Sequence, residues 1–247
     1  MEDYRQELTV NSYMREIELD FSQCDRSQNL RMGAILTQAA VFAGHDYDAR
    51  GLTHEVLMDR REVFLLSRLA VKLHHCPRVR DVLQVTTWED GAHGAHLQRL
   101  YEYRTREGEL CVSIRSDWIL VDPVTRKILR PQSFTARPLT ACPVEVDCPA
   151  PKKIALPPEA EELGCRTVRW SDLDGNGHLF SGVYGDIVWD YLPAELQGRT
   201  PREFYINYSR EATLGDELRL LGRREGEAYR MEGAGPHGPC FTALIQY

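Results

Sequence analysis

The sequence has no long apolar run and no excess of positive charge. None of its apolar stretches approaches the roughly 18 residues that a membrane-spanning helix requires, and the first residues, MEDYRQELTV, hold no signal-peptide core. The formal net charge of −7 disfavours nucleic acid as a partner. We therefore expect a cytoplasmic protein with no membrane span and no nucleic-acid partner.

The sequence also lacks paired cysteines. It has seven, an odd number, and no C-x-x-C spacing, so neither a zinc site nor a disulfide framework can be drawn from them. His74 and His75 precede Cys76, but this single cluster has no second ligand pair at metal-binding spacing. We expect no metal and no cofactor.

The remaining composition is that of an ordinary globular protein. Hydrophobic residues make up 43% of the 247 residues and charged residues 27%. This length fits one large domain or two small ones, with enough apolar residues for a substantial core.

A dense polar cluster stands between a strand-like and a helix-like segment. Its members lie within WSDLDGNGHLF and are Asp172, Asp174, Asn176 and His178. The run before it, 165–170, alternates like a strand. Apolar residues at helical spacing follow over 179–192, ended by Pro193. We therefore expect the cluster on a loop that leads into the N-terminus of a helix.

Three interpretations of this cluster compete. An Asp- and Asn-rich turn before a helix is the plainest one. A calcium loop of the EF-hand type requires Glu at its twelfth position, where the chain has Val183, and a preceding helix, where the pattern indicates a strand. We reject calcium. The third is a catalytic set, because imidazole transfers protons near neutral pH, an amide orients water or a carbonyl, and a carboxylate acts as base or nucleophile.

The order of predicted elements occurs twice. In the first half, a strand at 12–21 and a buried helix at 30–44 precede strands at 64–74, 82–88, 97–104 and 110–122. In the second half, the 179–192 helix precedes strands at 203–211, 217–223, 228–232 and 240–246. The pattern is α+β, with each helix packed on an antiparallel sheet.

A proline-rich segment at 135–158 separates the halves. Overlaying the halves places Ser27 opposite Asn176 and Asn29 opposite His178. Only the second half has the full polar set, so we expect one active site per chain and a substrate-binding role for the first half.

The polar cluster and the helix-like segment after it resemble the acyl-acyl carrier protein thioesterases. In that family an SDLD-x-N-x-H string opens the second of two hotdog domains, and a catalytic Glu follows in a Tyr-Arg-Arg-Glu-Cys string. The chain has SDLDGNGH at 171–178 and YSREA at 208–212, so Glu211 matches that Glu and Ala212 replaces the Cys. First-domain strings at 67–71, 81–88 and 116–127 resemble the family as well.

The resemblance implies a tandem (double) hotdog, each unit a long helix packed on an antiparallel sheet. We expect an N-terminal, substrate-binding hotdog domain at 1–137, a linker at 138–158 and a C-terminal, catalytic hotdog domain at 159–247. The implied reaction is hydrolysis of the thioester of fatty acyl-acyl carrier protein, which releases a free fatty acid. The partners would be the fatty acyl chain and an acidic, phosphopantetheine-bearing acyl carrier protein; a homodimer is one of the assemblies left open.

Two other functions stay open, an acyl-coenzyme A thioesterase and a non-catalytic acyl-binding hotdog module. Basic clusters at 60–80 and 126–137 are either a docking surface for the acidic carrier or solvated faces.

The implied catalytic residues are Asp174, Asn176, His178 and Glu211. A thiol of pKa ~8.5 leaves readily, so carboxylate, amide and imidazole suffice for thioester hydrolysis. Either Glu211 or Asp174 would be the base, with His178 as hydrogen-bond partner or proton relay and Asn176 orienting the attacking group. Backbone N–H groups at the start of the 179–192 helix would polarise the carbonyl. With Ala212 beside Glu211, water or a carboxylate is the expected nucleophile rather than a cysteine.

Overall fold

A single antiparallel sheet of eleven strands runs through the part of the chain that the structure describes. The computed structural model describes residues 4–247, so the first three residues of the predicted N-terminal domain lie outside it. The strands are β1 (Gln6–Leu8), β2 (Ser12–Glu18), β3 (Val63–Leu73), β4 (Val82–His93), β5 (His96–Thr105), β6 (Leu110–Val121), β7 (Glu161–Thr167), β8 (Glu203–Tyr208), β9 (Glu217–Glu225), β10 (Ala228–Gly235) and β11 (Gly238–Gln246). Their order is β1-β2-β4-β5-β6-β3-β8-β11-β10-β9-β7.

Among residues 4–247, four α-helices accompany the sheet: α1 (Met32–Ala49), α2 (His54–Asp59), α3 (Val183–Asp190) and α4 (Ala194–Gln197). Single 3-10 turns lie at Phe21–Gln23, Pro131–Ser133 and Trp170–Asp172. Across residues 4–247, no helix combines the length and the apolar character that crossing a membrane would need.

The two halves meet at the centre of the sheet, where β3 pairs with β8. The register runs from Arg68 opposite Asn207 to Lys72 opposite Glu203. On the β3 side lie the first-half strands β1 to β6, and on the β8 side lie β7 to β11. One sheet therefore carries both halves, each with its own helix against a shared core.

Helices α1 and α3 cross where each has a glycine, Gly33 and Gly185. A Cβ atom added at Gly185 of α3 would lie 2.9 Å from the backbone N and Cα of Gly33 in α1. Real Cβ atoms do not approach backbone so closely, so glycine at this position is what lets the helices touch. Because α1 is covered by the sheet and by α3, most of its surface is buried, as its apolar sequence predicts.

The opposite face of the sheet is covered by the proline-rich segment. Leu69 and Val71 face the helices, whereas Ala70 between them contacts a cluster containing Val146 and Ile154. Residues 135–158 form no helix or strand, yet Val146 and Ile154 are 1% and 5% exposed. The predicted linker is thus irregular but packed on the sheet.

Several boundaries differ from the sequence prediction. The second helix has 8 residues, not the 14 of the predicted range 179–192, because the chain just before it is used in bridges between Leu173 and Leu179 and between His178 and Thr213. The strand predicted at 203–211 ends at Tyr208, which leaves Glu211 on the following loop. The predicted strand at 165–170 is β7, which ends at Thr167 before the Trp170–Asp172 turn.

Three first-half features were not predicted. Asp90–Gly91 is a bulge within β4, which continues to His93 beyond the predicted strand at 82–88, and Gly91 has φ +68°. The short strand β1 pairs with β2 at the edge of the sheet. The short helix α2 begins after Thr53, whose side chain caps it.

Candidate active site

The Asp174–His178 loop is closed by the side chain of its first residue. Asp174 Oδ1 accepts hydrogen bonds from the backbone N–H groups of Asn176 (2.8 Å) and His178 (3.2 Å). The Asp174 N–H donates to the His178 carbonyl at 2.8 Å. Gly177 has φ +80°, a conformation in which glycine carries no steric cost. The Asp174 carboxylate therefore shapes the loop that presents Asn176 and His178.

Glu211 lies next to this loop although it follows β8 in the chain. The Leu179 N–H donates to the Ala212 carbonyl at 2.8 Å, and His178 bridges to Thr213. These backbone contacts bring Glu211 Oε2 to 3.4 Å from His178 Nε2. The two side chains are 33% and 28% exposed, so solvent and substrate can reach them. The structure thus brings together Glu211 and His178, two of the four residues that the family resemblance implied.

Arg126 reaches the same carboxylate from the first half. It lies on the turn after β6, and its Nη2 contacts Glu211 Oε2. In the sequence it was one cation of a basic cluster and had no link to the polar loop. Arg126 and Glu211 are 85 positions apart in the sequence, which explains why local pattern could not find this contact.

A cavity of about 690 Å³ opens beside these side chains. Asn176, His178 and Glu211 form its second-half wall, and Arg126 stands at the boundary. The other walls come from the first half, mainly α1, α2 and strands β3 to β6, and from Leu139 of the segment that follows it. Their apolar members are Ala40, Ala43, Leu52, Leu57, Met58, Val63, Phe64, Leu65, Leu97, Trp118, Val121 and Leu139. Such a cavity suits an elongated apolar group that ends at the polar side chains.

Part of the cavity wall is charged. Glu89 and Arg99 line it and form an ion pair at 3.4 Å, and Arg99 also binds Asp46 at 2.9 Å. The Tyr47 hydroxyl donates to Glu89 at 2.6 Å. Burial, with the neighbouring Glu89 carboxylate, raises the pKa of Tyr47, so this hydroxyl stays a donor. The network fixes this wall, because each buried charge has a partner.

Asp174 and the start of α3 do not lie at the cavity, although we expected each of them to take part in the reaction. Asp174 is half-buried and is not among the described residues that line the cavity. The N–H groups of Val183 and Gly185 at the start of α3 donate to the carbonyls of Phe180 and Gly182. Residues 179–185 likewise do not line the cavity in the part of the chain that the structure describes. The start of α3 is therefore not placed to polarise a carbonyl held there.

A second histidine–carboxylate arrangement is sealed from substrate. His74 Nε2 lies 2.9 Å from Ser113 Oγ, and its Nδ1 lies 3.9 Å from Asp147. This order resembles a serine nucleophile with its base, but Ser113 is fully buried within the sheet. A substrate carbonyl cannot reach that hydroxyl. Within residues 4–247, no three His, Cys, Asp or Glu side chains are grouped so that they could hold a metal ion.

Both halves match known domain families. Residues 10–133 match the acyl-ACP thioesterase N-terminal domain and residues 157–233 the acyl-ACP thioesterase C-terminal domain. A chloroplastic acyl-[acyl-carrier-protein] hydrolase of Cuphea viscosissima is 24% identical over 238 residues, which cover 92% of this chain and 57% of that protein. A chloroplastic palmitoyl-acyl carrier protein thioesterase of Gossypium hirsutum is 24% identical over 168 residues, 64% of this chain and 40% of that protein. The chain thus spans about half the length of these curated relatives.

Solved structures share the fold. An acyl-ACP thioesterase from Bacteroides thetaiotaomicron superimposes with a TM-score of 0.87 at 22% identity, covering 95% of this chain and 97% of that one. The 12:0-ACP thioesterase from Umbellularia californica gives 0.79 at 16% identity, covering 97% and 98%. Their hotdog fold, with its large antiparallel sheet and few helices, is also the fold of this chain. On these matches to both domains, the chain belongs to the acyl-ACP thioesterase family.

Proposed function

We propose that this protein hydrolyses the thioester of fatty acyl-acyl carrier protein and releases a free fatty acid. The observation that carries the proposal is the cavity, in which Asn176, His178 and Glu211 face apolar walls supplied by the other half of the chain. The acyl chain would occupy the apolar part and the thioester would lie at the polar side chains. Membership of the family supports the carrier protein as the donor of the acyl group.

We assign the base to Glu211 rather than to Asp174. Glu211 lines the cavity and lies 3.4 Å from His178, whereas the Asp174 carboxylate accepts hydrogen bonds from two N–H groups of its own loop. Glu211 would take a proton from water, with His178 relaying it, and Asn176 would orient the attacking group. The water oxygen bonds to the acyl carbon, the C–S bond breaks, and the thiolate leaves and takes up the proton. Direct attack by the Glu211 carboxylate, through an anhydride, is the alternative route.

In this proposal the two halves of the chain have different roles. The N-terminal hotdog domain, 1–137, binds the acyl chain, the segment 138–158 links, and the C-terminal hotdog domain, 159–247, supplies the reactive side chains. The tandem arrangement is supported by the paired helices on one face of the sheet and by the central β3–β8 pairing. The cytoplasmic location stays a prediction, and the homodimer stays one of the assemblies left open.

The test compares one acyl group on two carriers. Purified protein should hydrolyse acyl-acyl carrier protein with a higher kcat/KM than the same acyl chain on coenzyme A. Glu211→Gln should lower kcat by ~10² or more, because a positioned base contributes a factor of this size. Faster hydrolysis of the coenzyme A ester would favour the acyl-coenzyme A thioesterase instead. Acyl binding without hydrolysis of either ester would identify a non-catalytic module.

A further inference from the structure

We propose that Arg126 is a positioning residue of this site, which holds the Glu211 carboxylate beside His178 from the other half of the chain. The inference rests on the proposed hydrolytic function. Arg126 Nη2 and His178 Nε2 contact the same carboxylate oxygen, Glu211 Oε2. A carboxylate held by two groups on different loops has fewer rotamers available than one held by a single neighbour. The base is thereby kept in one orientation towards the cavity.

The turn that carries Arg126 is built by Asp122. Asp122 Oδ1 accepts from the N–H groups of Val124 (2.8 Å) and Thr125 (3.0 Å). The Arg126 N–H donates to the Asp122 carbonyl at 2.9 Å, and the Asp122 N–H donates to the Lys127 carbonyl at 3.0 Å. These four bonds fix the backbone from which the Arg126 side chain extends. The position of the backbone and of Cβ at Arg126 is therefore set before substrate arrives.

The backbone at Arg126 would suit glycine better than arginine. Its φ is +59°, in the left-handed region that side chains enter at a steric cost and glycine enters freely. The turn itself does not need a guanidinium, because Asp122 closes it through backbone groups. The side chain that the turn does not need makes its contact with Glu211.

The ion pair contributes little to folding. The Arg126 side chain is 62% exposed and that of Glu211 33% exposed, so water screens their attraction. Removing the guanidinium should therefore leave the folded protein intact. What it changes is the freedom of the Glu211 carboxylate, and small misplacements of a catalytic group lower kcat strongly.

The chain offers a matched control at Arg80. That residue also has a left-handed backbone, with φ +74°, and its Nη1 lies 2.8 Å from Glu18 Oε1. The two side chains are 70% and 30% exposed, nearly the values of the Arg126–Glu211 pair. Neither Arg80 nor Glu18 lines the cavity in the described part of the chain. Arg126→Gly and Arg80→Gly thus remove equivalent ion pairs, one at the site and one away from it.

The experiment measures kcat and KM for both variants on two substrates. One is the acyl-acyl carrier protein; the other is an acyl N-acetylcysteamine thioester, which has neither carrier nor phosphate. We expect Arg126→Gly to lower kcat roughly tenfold or more on both substrates, with KM little changed, and Arg80→Gly to leave kcat unchanged. Arg126→Lys, which keeps the charge but not the planar fork, should recover part of the loss. Melting temperatures should match between the two glycine variants.

Three outcomes would overturn the inference. A rise in KM for the carrier substrate alone would make Arg126 a docking cation for the carrier. A melting temperature for Arg126→Gly well below that of Arg80→Gly, with no recovery of kcat by Arg126→Lys, would make it structural. Unchanged kcat in Arg126→Gly would remove any role. If wild-type protein hydrolysed neither substrate, the proposed function would fail, and this inference with it.

Discussion

The loops Asp25–Asn29 and Asp174–His178 have the same backbone hydrogen bonds and different side chains. In the first, Asp25 Oδ1 accepts from the N–H groups of Ser27 (2.7 Å) and Asn29 (3.1 Å), and the Asp25 N–H donates to the Asn29 carbonyl at 2.8 Å. In the second, the corresponding distances are 2.8, 3.2 and 2.8 Å. The aspartate is therefore the common structural element of both loops.

The segments beside the two loops correspond as well. The Leu30 N–H donates to the Pro77 carbonyl at 2.8 Å, as the Leu179 N–H does to the Ala212 carbonyl. Asn29 bridges to Arg78 as His178 bridges to Thr213. Counting back one residue from Pro77 and Ala212 places Cys76 where the second half has Glu211.

Three side chains thus distinguish the loop at the cavity from its counterpart. Where the second half has Asn176, His178 and Glu211, the first has Ser27, Asn29 and Cys76. Imidazole and carboxylate can exchange protons at neutral pH, whereas an amide and the half-buried Cys76 thiol, whose pKa is raised to about 11, cannot. Asp174, whose counterpart is Asp25, therefore holds the loop. Asn176, His178 and Glu211 are the side chains that would perform the reaction.

The largest effect should come from exchanging the histidine for its counterpart. His178→Asn leaves a polar side chain of similar size but removes the proton relay, so kcat should fall by ~10² or more. Because the loop is held by Asp174, the melting temperature should change little. Steady-state kinetics and thermal unfolding measure both quantities.

Asn29→His is the reciprocal control. It places an imidazole on the same backbone in the first half, where the neighbour is Cys76 rather than a carboxylate. Hydrolysis should continue at the wild-type rate. If His178→Asn kept more than a third of the wild-type kcat, the difference between the loops would not be the source of activity.

A smaller effect should separate the two roles open to Asp174. Asp174→Asn keeps an oxygen that can accept from the loop N–H groups but removes the charge, so a structural role predicts a loss of only several-fold in kcat. Asp174→Ala removes two hydrogen bonds and should lower the free energy of unfolding by about 1–2 kcal/mol. It should also lower kcat further, because Asn176 and His178 lose their support. A loss of ~10² in Asp174→Asn at unchanged stability would instead make Asp174 the base.

Asp25→Ala gives the matching measurement in the first half. The same two hydrogen bonds are lost there, so the decrease in stability should be similar to that of Asp174→Ala. Turnover should not change, because the Asp25–Asn29 loop has no side chain at the cavity. Unequal losses of stability would show that the two aspartates do not have the same structural role.

Whether a site residue could be predicted depends on how far it lies along the sequence from the residues that it contacts. Asn176 and His178 are close in sequence, so the local string places them on one loop. Glu211 lies beyond the reach of local pattern, and only the family resemblance of YSREA identified it. Arg126 was not found by either route, because its contact with Glu211 depends on how the two halves meet in the sheet.

The same limit explains the errors in the fold. Alternating burial is strong in β4 and β9, and these strands were predicted to within a few residues. The apolar spacing over 179–192 predicted a helix nearly twice as long as α3, because periodicity cannot show that residues before Val183 form bridges with Leu173 and Thr213. Likewise, proline content indicated an irregular segment at 135–158 but not that the segment packs on the sheet.

The smallest effect is expected from thiol reagents. Burial, as the first cause in each case, raises the pKa of all seven cysteines, to about 11 for Cys76 and Cys111 and to about 12 for Cys148. The thiolate is the reactive form of cysteine, and because the pKa is raised little thiolate is present at neutral pH.

We expect hydrolysis to survive saturating iodoacetamide, with the exposed Cys165 modified first. Cys165→Ser and Cys76→Ser should likewise retain activity. Inactivation that acyl substrate protects against would show that a thiol takes part in the reaction. If Cys76→Ser abolished that inactivation, the first-half loop would be part of the site rather than only a structural counterpart of it.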